Sequence, residues 1–186
     1  MLRTLLLPCS VLLVLLAGCQ SSLSVTDVHG AQHEPLELGH DHAVVVIFLT
    51  VDCPIANSFA PEIKRILDDY LDSPVRFYLV HVDPDVTMER AREHAEQFGL
   101  EATILLDHNH SLVEKLGATM TPEAAVLAKN GLVYRGRINN WYADLGAKRP
   151  APTRHDLRDA ITAVLTGTPI EVPRTEAIGC FLGDLR

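Results

Sequence analysis

Residues 43–54 read Ala43-Val44-Val45-Val46-Ile47-Phe48-Leu49-Thr50-Val51-Asp52-Cys53-Pro54. The first eight are almost unbroken β-branched and apolar side chains, without the polar alternation of a half-exposed strand. Such a run fits a strand covered on both faces, as in a parallel sheet. A helix follows, because Phe59, Ile63, Ile66, Leu67 and Tyr70 fall on one stripe. Pro61 lies inside that stretch and predicts a kink. Cys53 therefore stands where a buried strand gives way to a helix. In open α/β sheets, sites collect at that edge.

The rest of the chain extends the pattern. Val75–Val82 is a second strand, stopped by Asp83-Pro84-Asp85. Thr87 is placed to cap a helix carrying Met88, Ala91, Ala95 and Phe98 on one side, which Gly99 ends. Thr103–Leu106 predicts a third short strand, and Ser111–Leu116 a short helix closed by Gly117. Asn130-Gly131 between Glu123–Ala128 and Leu132–Ile138 is a hairpin signal. Residues 139–152 form a polar and aromatic loop. Thr153 is expected to cap a last helix bearing Leu157, Ala160, Ile161, Val164 and Leu165. Strand–helix alternation followed by a hairpin gives an α/β fold, a three-layer sandwich with a mixed central sheet.

Ahead of this core, Ser24–Val28 and Leu36/Leu38 alternate around His29-Gly30, suggesting a short hairpin. His29, His33, His40 and His42 there are either a solvated edge or metal ligands. The chain carries 16 basic and 24 acidic residues, a net charge of −8, and no run of Lys or Arg longer than two. That pattern excludes a nucleic-acid partner.

The N-terminus carries a short basic segment, an apolar run from Leu5 to Leu16, then Leu16-Ala17-Gly18-Cys19. The run is too short to span a bilayer and has the length of a signal-peptide core. The ending resembles the bacterial lipobox, which implies cleavage before Cys19, lipidation of Cys19, and a lipid-anchored protein in the bacterial cell envelope facing the periplasm or the extracellular side. A plain secretory signal or a signal anchor stays open. The implied organisation is a signal peptide over 1–18, a tether and N-terminal hairpin over 19–43, a core domain over 44–167, and a tail over 168–186 carrying Cys180. With Cys9 removed and Cys19 acylated, Cys53 and Cys180 are the thiols left to the folded part. Outside the cytoplasm, two thiols make either a structural disulfide or a redox centre.

A thiol at a helix N-terminus faces unpaired N–H groups and a partial positive charge, which favour the nucleophilic thiolate. Thr50 and Asn57 can add hydrogen bonds, whereas Asp52 opposes ionisation. The alternative is an inert buried cysteine.

On these residues the chain resembles the thioredoxin superfamily. The step from Cys53 to Pro61 equals the family's step from reactive cysteine to kink proline, and Thr121-Pro122 before a strand matches its cis-proline position. The resemblance spans residues 25 to about 167. Thr50-Val51-Asp52-Cys53-Pro54 also resembles the T-x-x-C-P of peroxiredoxins, and Val82-Asp83-Pro84 with Cys53-x-x-x-Asn57 resembles Sco-type copper chaperones. The overall look is that of bacterial redoxin-domain proteins of the alkyl-hydroperoxide-reductase/thiol-specific-antioxidant type. Three departures count: Ala56 replaces the second cysteine of C-x-x-C, Asn57 that of the Sco motif, and Val46 a peroxiredoxin proline.

The resemblance implies a thiol oxidoreductase without a cofactor, peroxidase-like or disulfide-exchanging, with a slight lean to the peroxidase. Cys53 is its nucleophile, Thr50 helps activate it, and Thr121 and Pro122 shape the groove. Cys180 is the possible resolving thiol on a flexible tail, with a static disulfide or no bond as alternatives. Its partners would be a thiol electron donor or client protein, a peroxide or disulfide substrate, and the membrane through Cys19. The alternatives are a copper-binding chaperone using Cys53 and His81, or a non-catalytic docking module. His81 is otherwise a core histidine. His108 and His110 are expected at the surface, as are Arg135 and Arg137, although an arginine supports the cysteine in peroxiredoxins. Trp141 and Tyr142 are expected to wall the cysteine site, form a docking surface, or pack into the core.

Overall fold

The computed structural model describes residues 22–185. The expected signal segment over residues 1–18 and the expected lipidation site Cys19 lie outside the described residues. Strands β1 (Val25–Thr26) and β2 (Gln32–His33) form an antiparallel pair. Its second arm is Gln32–His33 rather than the Leu36/Leu38 stretch, whose leucines instead pack against the core. His33 pairs with the Asp27 carboxylate at 2.8 Å.

The central sheet has the order β5-β4-β3-β7-β8. Strand β3 (Ala43–Leu49), β4 (Val75–His81) and β5 (Thr103–Leu106) run parallel, and the hairpin β7 (Glu123–Ala128) and β8 (Gly131–Gly136) adds two antiparallel strands. Every residue of β3 is buried. Its period-two alternation sends Ala43, Val45, Ile47 and Leu49 to one layer and Val44, Val46 and Phe48 to the other.

On the first face lie α1 (Pro54–Asp69), α2 (Met88–Phe98) and α4 (Asp156–Thr166), through Phe59, Ile63, Ile66, Ala91, Leu157 and Ile161. On the second lies α3 (Ser111–Leu116), through Leu112, Val113 and Leu116. Full burial of a side chain such as Ile63 contributes about 1.5–3 kcal/mol. The sandwich and the mixed sheet agree with the sequence reading.

Pro54 opens α1 at a position where its missing N–H costs nothing, and the helix continues through Pro61 to Asp69. Thr87 caps α2, its hydroxyl accepting the Arg90 N–H at 3.2 Å. Thr153 does not cap α4. The N-cap is His155, without a side-chain hydrogen bond. The Asn140 side chain takes Thr153 instead, accepting its N–H at 2.8 Å and donating to its hydroxyl at 2.9 Å. His110 is buried, contrary to the surface expectation. It sits at φ 57° before α3, and its Nε2–H donates to the Val82 carbonyl at 2.7 Å. His108 is exposed, as expected. Four short strands remain among the described residues: β6 (Met120–Thr121), which pairs with the tail strand β11 (Cys180–Phe181), and the loop pair β9 (Tyr142–Asp144) and β10 (Ala147–Lys148).

Candidate active site

Cys53 is the N-cap of α1, with φ −79° and ψ 110°. Its backbone is still extended from the strand while its carbonyl already accepts the Asn57 N–H at 2.9 Å. The Cys53 Sγ accepts the Ala56 N–H at 3.4 Å, so one free donor of the first helical turn points at the sulfur. The residue is 2% exposed. Opposite, the Thr121-Pro122 peptide bond is cis, and the Thr121 carbonyl oxygen lies 3.2 Å from Sγ.

Cys180 is bonded to Cys53 as a disulfide, with a Cα–Cα distance of 6.1 Å across 127 residues of chain. Strand pairing places it there. Cys180 is in register with Thr121 and Phe181 with Met120, and the Leu182 N–H donates to the Thr119 carbonyl at 2.9 Å.

The tail is not the flexible arm anticipated from its prolines. The Arg135 N–H donates to the Pro173 carbonyl at 3.1 Å, and the Thr175 N–H to the Arg135 carbonyl at 3.1 Å, extending the edge of β8. The Thr175 hydroxyl accepts the Arg137 N–H at 3.0 Å and contacts the Tyr134 hydroxyl at 2.8 Å. Ala177 and Leu182 are buried. The prolines here restrict the chain, and the ladder on each side satisfies its backbone.

Thr50 meets the cis-proline segment rather than the sulfur: its hydroxyl lies 3.2 Å from that of Thr121, and both residues are buried. Asn57 likewise serves the loop. Its amide donates to the Val51 carbonyl at 2.9 Å, and its oxygen accepts from His94 Nε2 at 2.8 Å. His94 therefore carries its proton on Nε2. Burial, then the neighbouring His81, lowers its pKa to about 4, so it is neutral near pH 7. Asp52 is exposed and offset by Arg90 at 2.8 Å.

His81 is a core residue, 1% exposed, stacked edge-on against His94 with ring centroids 4.9 Å apart. Among the described residues, no group of three His, Cys, Asp or Glu side chains is arranged to hold a metal ion. The copper arrangement of Cys53 with His81 is not assembled, since the sulfur is bonded to Cys180.

Arg135 and Arg137 are not a solvated edge. Arg135 pairs with the buried Glu123 at 3.3 Å and donates to the Gly117 carbonyl, while Arg137 pairs with the buried Asp156 at 2.8 Å. Their hydrogen bonds and ion pairs run to these groups and not to the sulfur. Glu123 went unnoticed in the sequence, yet it holds the turn before the cis bond, accepting the Thr119 N–H at 2.7 Å and the Met120 N–H at 3.1 Å. Its only sequence signal was a lone acid opening an apolar strand. Trp141 and Tyr142 pack on Phe59 of α1 at centroid distances of 5.7 and 5.8 Å, and the Tyr142 hydroxyl meets Ser58 at 2.9 Å. They wall the helix that carries Cys53.

A cysteine capping a helix after a buried strand, faced by a cis-proline loop, in a sheet of this order defines a protein of the thioredoxin superfamily. The sequence profile described as Redoxin matches residues 20–139, and the chain belongs to that family. Among solved structures, the fold is similar to a hypothetical protein from Sinorhizobium meliloti, with TM-score 0.76, 22% identity, and coverage of 86% of this chain and 89% of that one. It is similar to an uncharacterized conserved protein from Geobacillus kaustophilus, with TM-score 0.75, 23% identity and 86% of each chain. It is also similar to a secreted Mycobacterium tuberculosis disulfide oxidoreductase, with TM-score 0.55, 16% identity, and coverage of 78% and 96%. No curated protein matches the sequence. These likenesses to solved structures are likenesses of fold.

Proposed function

We propose that this chain is a thiol–disulfide oxidoreductase whose working couple is Cys53 and Cys180, tethered to the bacterial cell envelope by a lipid on Cys19 and facing away from the cytoplasm. The observation that carries the reading is the disulfide itself, set at the cap of α1 and against the cis-proline segment. A purely structural clasp has no need of a helix N-terminus. A redox couple does, because the Ala56 N–H and the helix dipole stabilise the Cys53 thiolate when the bond opens.

In the reduced protein Cys53 is the internal nucleophile. In a mixed disulfide between a substrate sulfur and Cys180, the Cys53 thiolate attacks Cys180 Sγ, expels the substrate thiolate and closes the Cys53–Cys180 bond. Pro122 and Thr121 hold the opposite wall, and Thr50 positions Thr121. The partner is a thiol donor or a client protein. The 2% exposure of Cys53 favours exchange over direct attack on peroxide, which needs an open sulfur. The tether rests on Leu16-Ala17-Gly18-Cys19, and palmitate labelling that disappears in Cys19→Ala tests it.

Oxidation of dithiothreitol by glutathione disulfide, catalysed by the folded chain, tests the chemistry. Cys53→Ser and Cys180→Ser each lower the rate at least 100-fold if the couple is the catalyst. Rates equal to wild type refute it, and thiol-dependent peroxide consumption that survives in Cys180→Ser favours the peroxidase branch.

A further inference from the structure

The two sulfurs of the couple are not equivalent to the outside. Cys53 is 2% exposed, enclosed by the first turn of α1 and by Thr121, whereas Cys180 is half-buried, on a surface strand beside the exposed Phe181. The tail that covers Cys53 is fastened on both sides of Cys180. Upstream it extends the β8 edge at Pro173–Thr175, and Ala177 is buried. Downstream it pairs with Met120–Thr121, and Leu182 is buried in the second core layer. Nothing in that attachment depends on the sulfur–sulfur bond.

We propose, building on the redox-couple reading, that an external thiol enters the exchange at Cys180, with Cys53 as the leaving group, and that the substrate is a dithiol recognised at its sulfur rather than as an extended strand. Thiol–disulfide exchange is governed by which sulfur can be reached and by which departing thiolate is the more stable. Both criteria select the same direction here. Of the two residues, Cys180 is the more exposed. The sulfur facing a helix N-terminal N–H is that of Cys53.

The substrate thiolate attacks Cys180 Sγ. A bond forms between the substrate sulfur and Cys180, the Cys53–Cys180 bond breaks, and its electron pair goes to Cys53 as thiolate. The substrate's second thiolate then attacks its own sulfur in the mixed disulfide. The substrate leaves as a disulfide, and Cys180 leaves as a thiolate that takes a proton from water. Two electrons pass from substrate to protein, and no other oxidant is involved. An extended client does not pair with β6, because β11 already occupies its partner edge. The fixed tail also keeps the two thiols adjacent after reduction, so reclosure is intramolecular and fast.

The test maps the first adduct. The oxidised protein is mixed with 2-mercaptoethanol, quenched within milliseconds by excess N-ethylmaleimide, and mapped by peptide mass. The expected product carries mercaptoethanol on Cys180 and maleimide on Cys53. Mercaptoethanol on Cys53, or an even split, overturns entry at Cys180 while leaving the couple intact. An unreacted disulfide overturns both this proposal and the redox-couple reading. A second measurement uses the single-cysteine proteins. At pH 9, 5,5′-dithiobis(2-nitrobenzoate) labels Cys180 in Cys53→Ser at least tenfold faster than Cys53 in Cys180→Ser. The reverse order contradicts the proposal.

Discussion

Gly179 passes so close to Thr121 that a β-carbon on residue 179 would sit 2.0 Å from the Thr121 carbonyl oxygen. The same carbonyl lies 3.2 Å from Cys53 Sγ. One backbone oxygen thus sets how near the tail and the helix cap can come, and glycine is required by contact rather than by an unusual φ. Gly179→Ala pushes the tail outward, costing about 1–3 kcal/mol of stability and slowing disulfide closure. Urea unfolding and stopped-flow reoxidation of the reduced protein measure the two effects.

Glu123→Gln loosens the turn that carries the cis bond. The buried carboxylate accepts two backbone N–H groups and pairs with Arg135, and weakening such charge-assisted bonds costs about 1.5–3 kcal/mol. Denaturant midpoints at neutral pH measure the loss. Thiol exchange slows as well, because Thr121 is the residue that faces Cys53.

Acid weakens the fold through His94. Its imidazole titrates near 6.5 when unfolded and at about 4 when folded, because burial, reinforced by His81, disfavours the cation. Between these values the unfolded chain binds a proton that the folded chain does not. The contribution is therefore fully present above pH 6.5 and is lost as pH falls toward 4, amounting to roughly 3 kcal/mol by the acid end. His94→Gln keeps an N–H for Asn57 and removes this slope. Stability measured at pH 7, 5.5 and 4.5 in both proteins checks it.

Reducing the disulfide lowers stability without unfolding the chain. Closing a loop across 127 residues lies at the upper end of the usual 2–5 kcal/mol range. Because the tail is held independently by β6 and β8, the reduced protein keeps its native circular dichroism while its urea midpoint falls.

Local physics explains which parts were legible in the sequence. The unbroken run at 43–50, the helical stripe from Phe59 to Tyr70 and Asn130-Gly131 are short-range patterns, and each sits in the structure where it was expected. The Thr121-Pro122 dipeptide in front of a strand marked the wall of the site, and it is cis. What stayed hidden depends on partners far apart in the chain. Arg135 looked like a surface residue because Glu123 meets it only across the hairpin. His110 looked polar and exposed until the turn before α3 folded it toward Val82. The tail looked loose because strands of two residues leave no periodic trace, and its order comes from edges supplied by β6 and β8. The pairing of Cys53 with Cys180 was one of three possibilities for the same reason.

The most direct measurement is a redox titration of the folded protein in dithiothreitol buffers, with free thiols counted by alkylation and mass. A working couple gives a single reversible two-electron transition without denaturant, in which the Cys53 and Cys180 thiols become alkylatable together. A disulfide that opens only after the chain has been unfolded contradicts it, and so does a free Cys53 thiol in the fully oxidised protein.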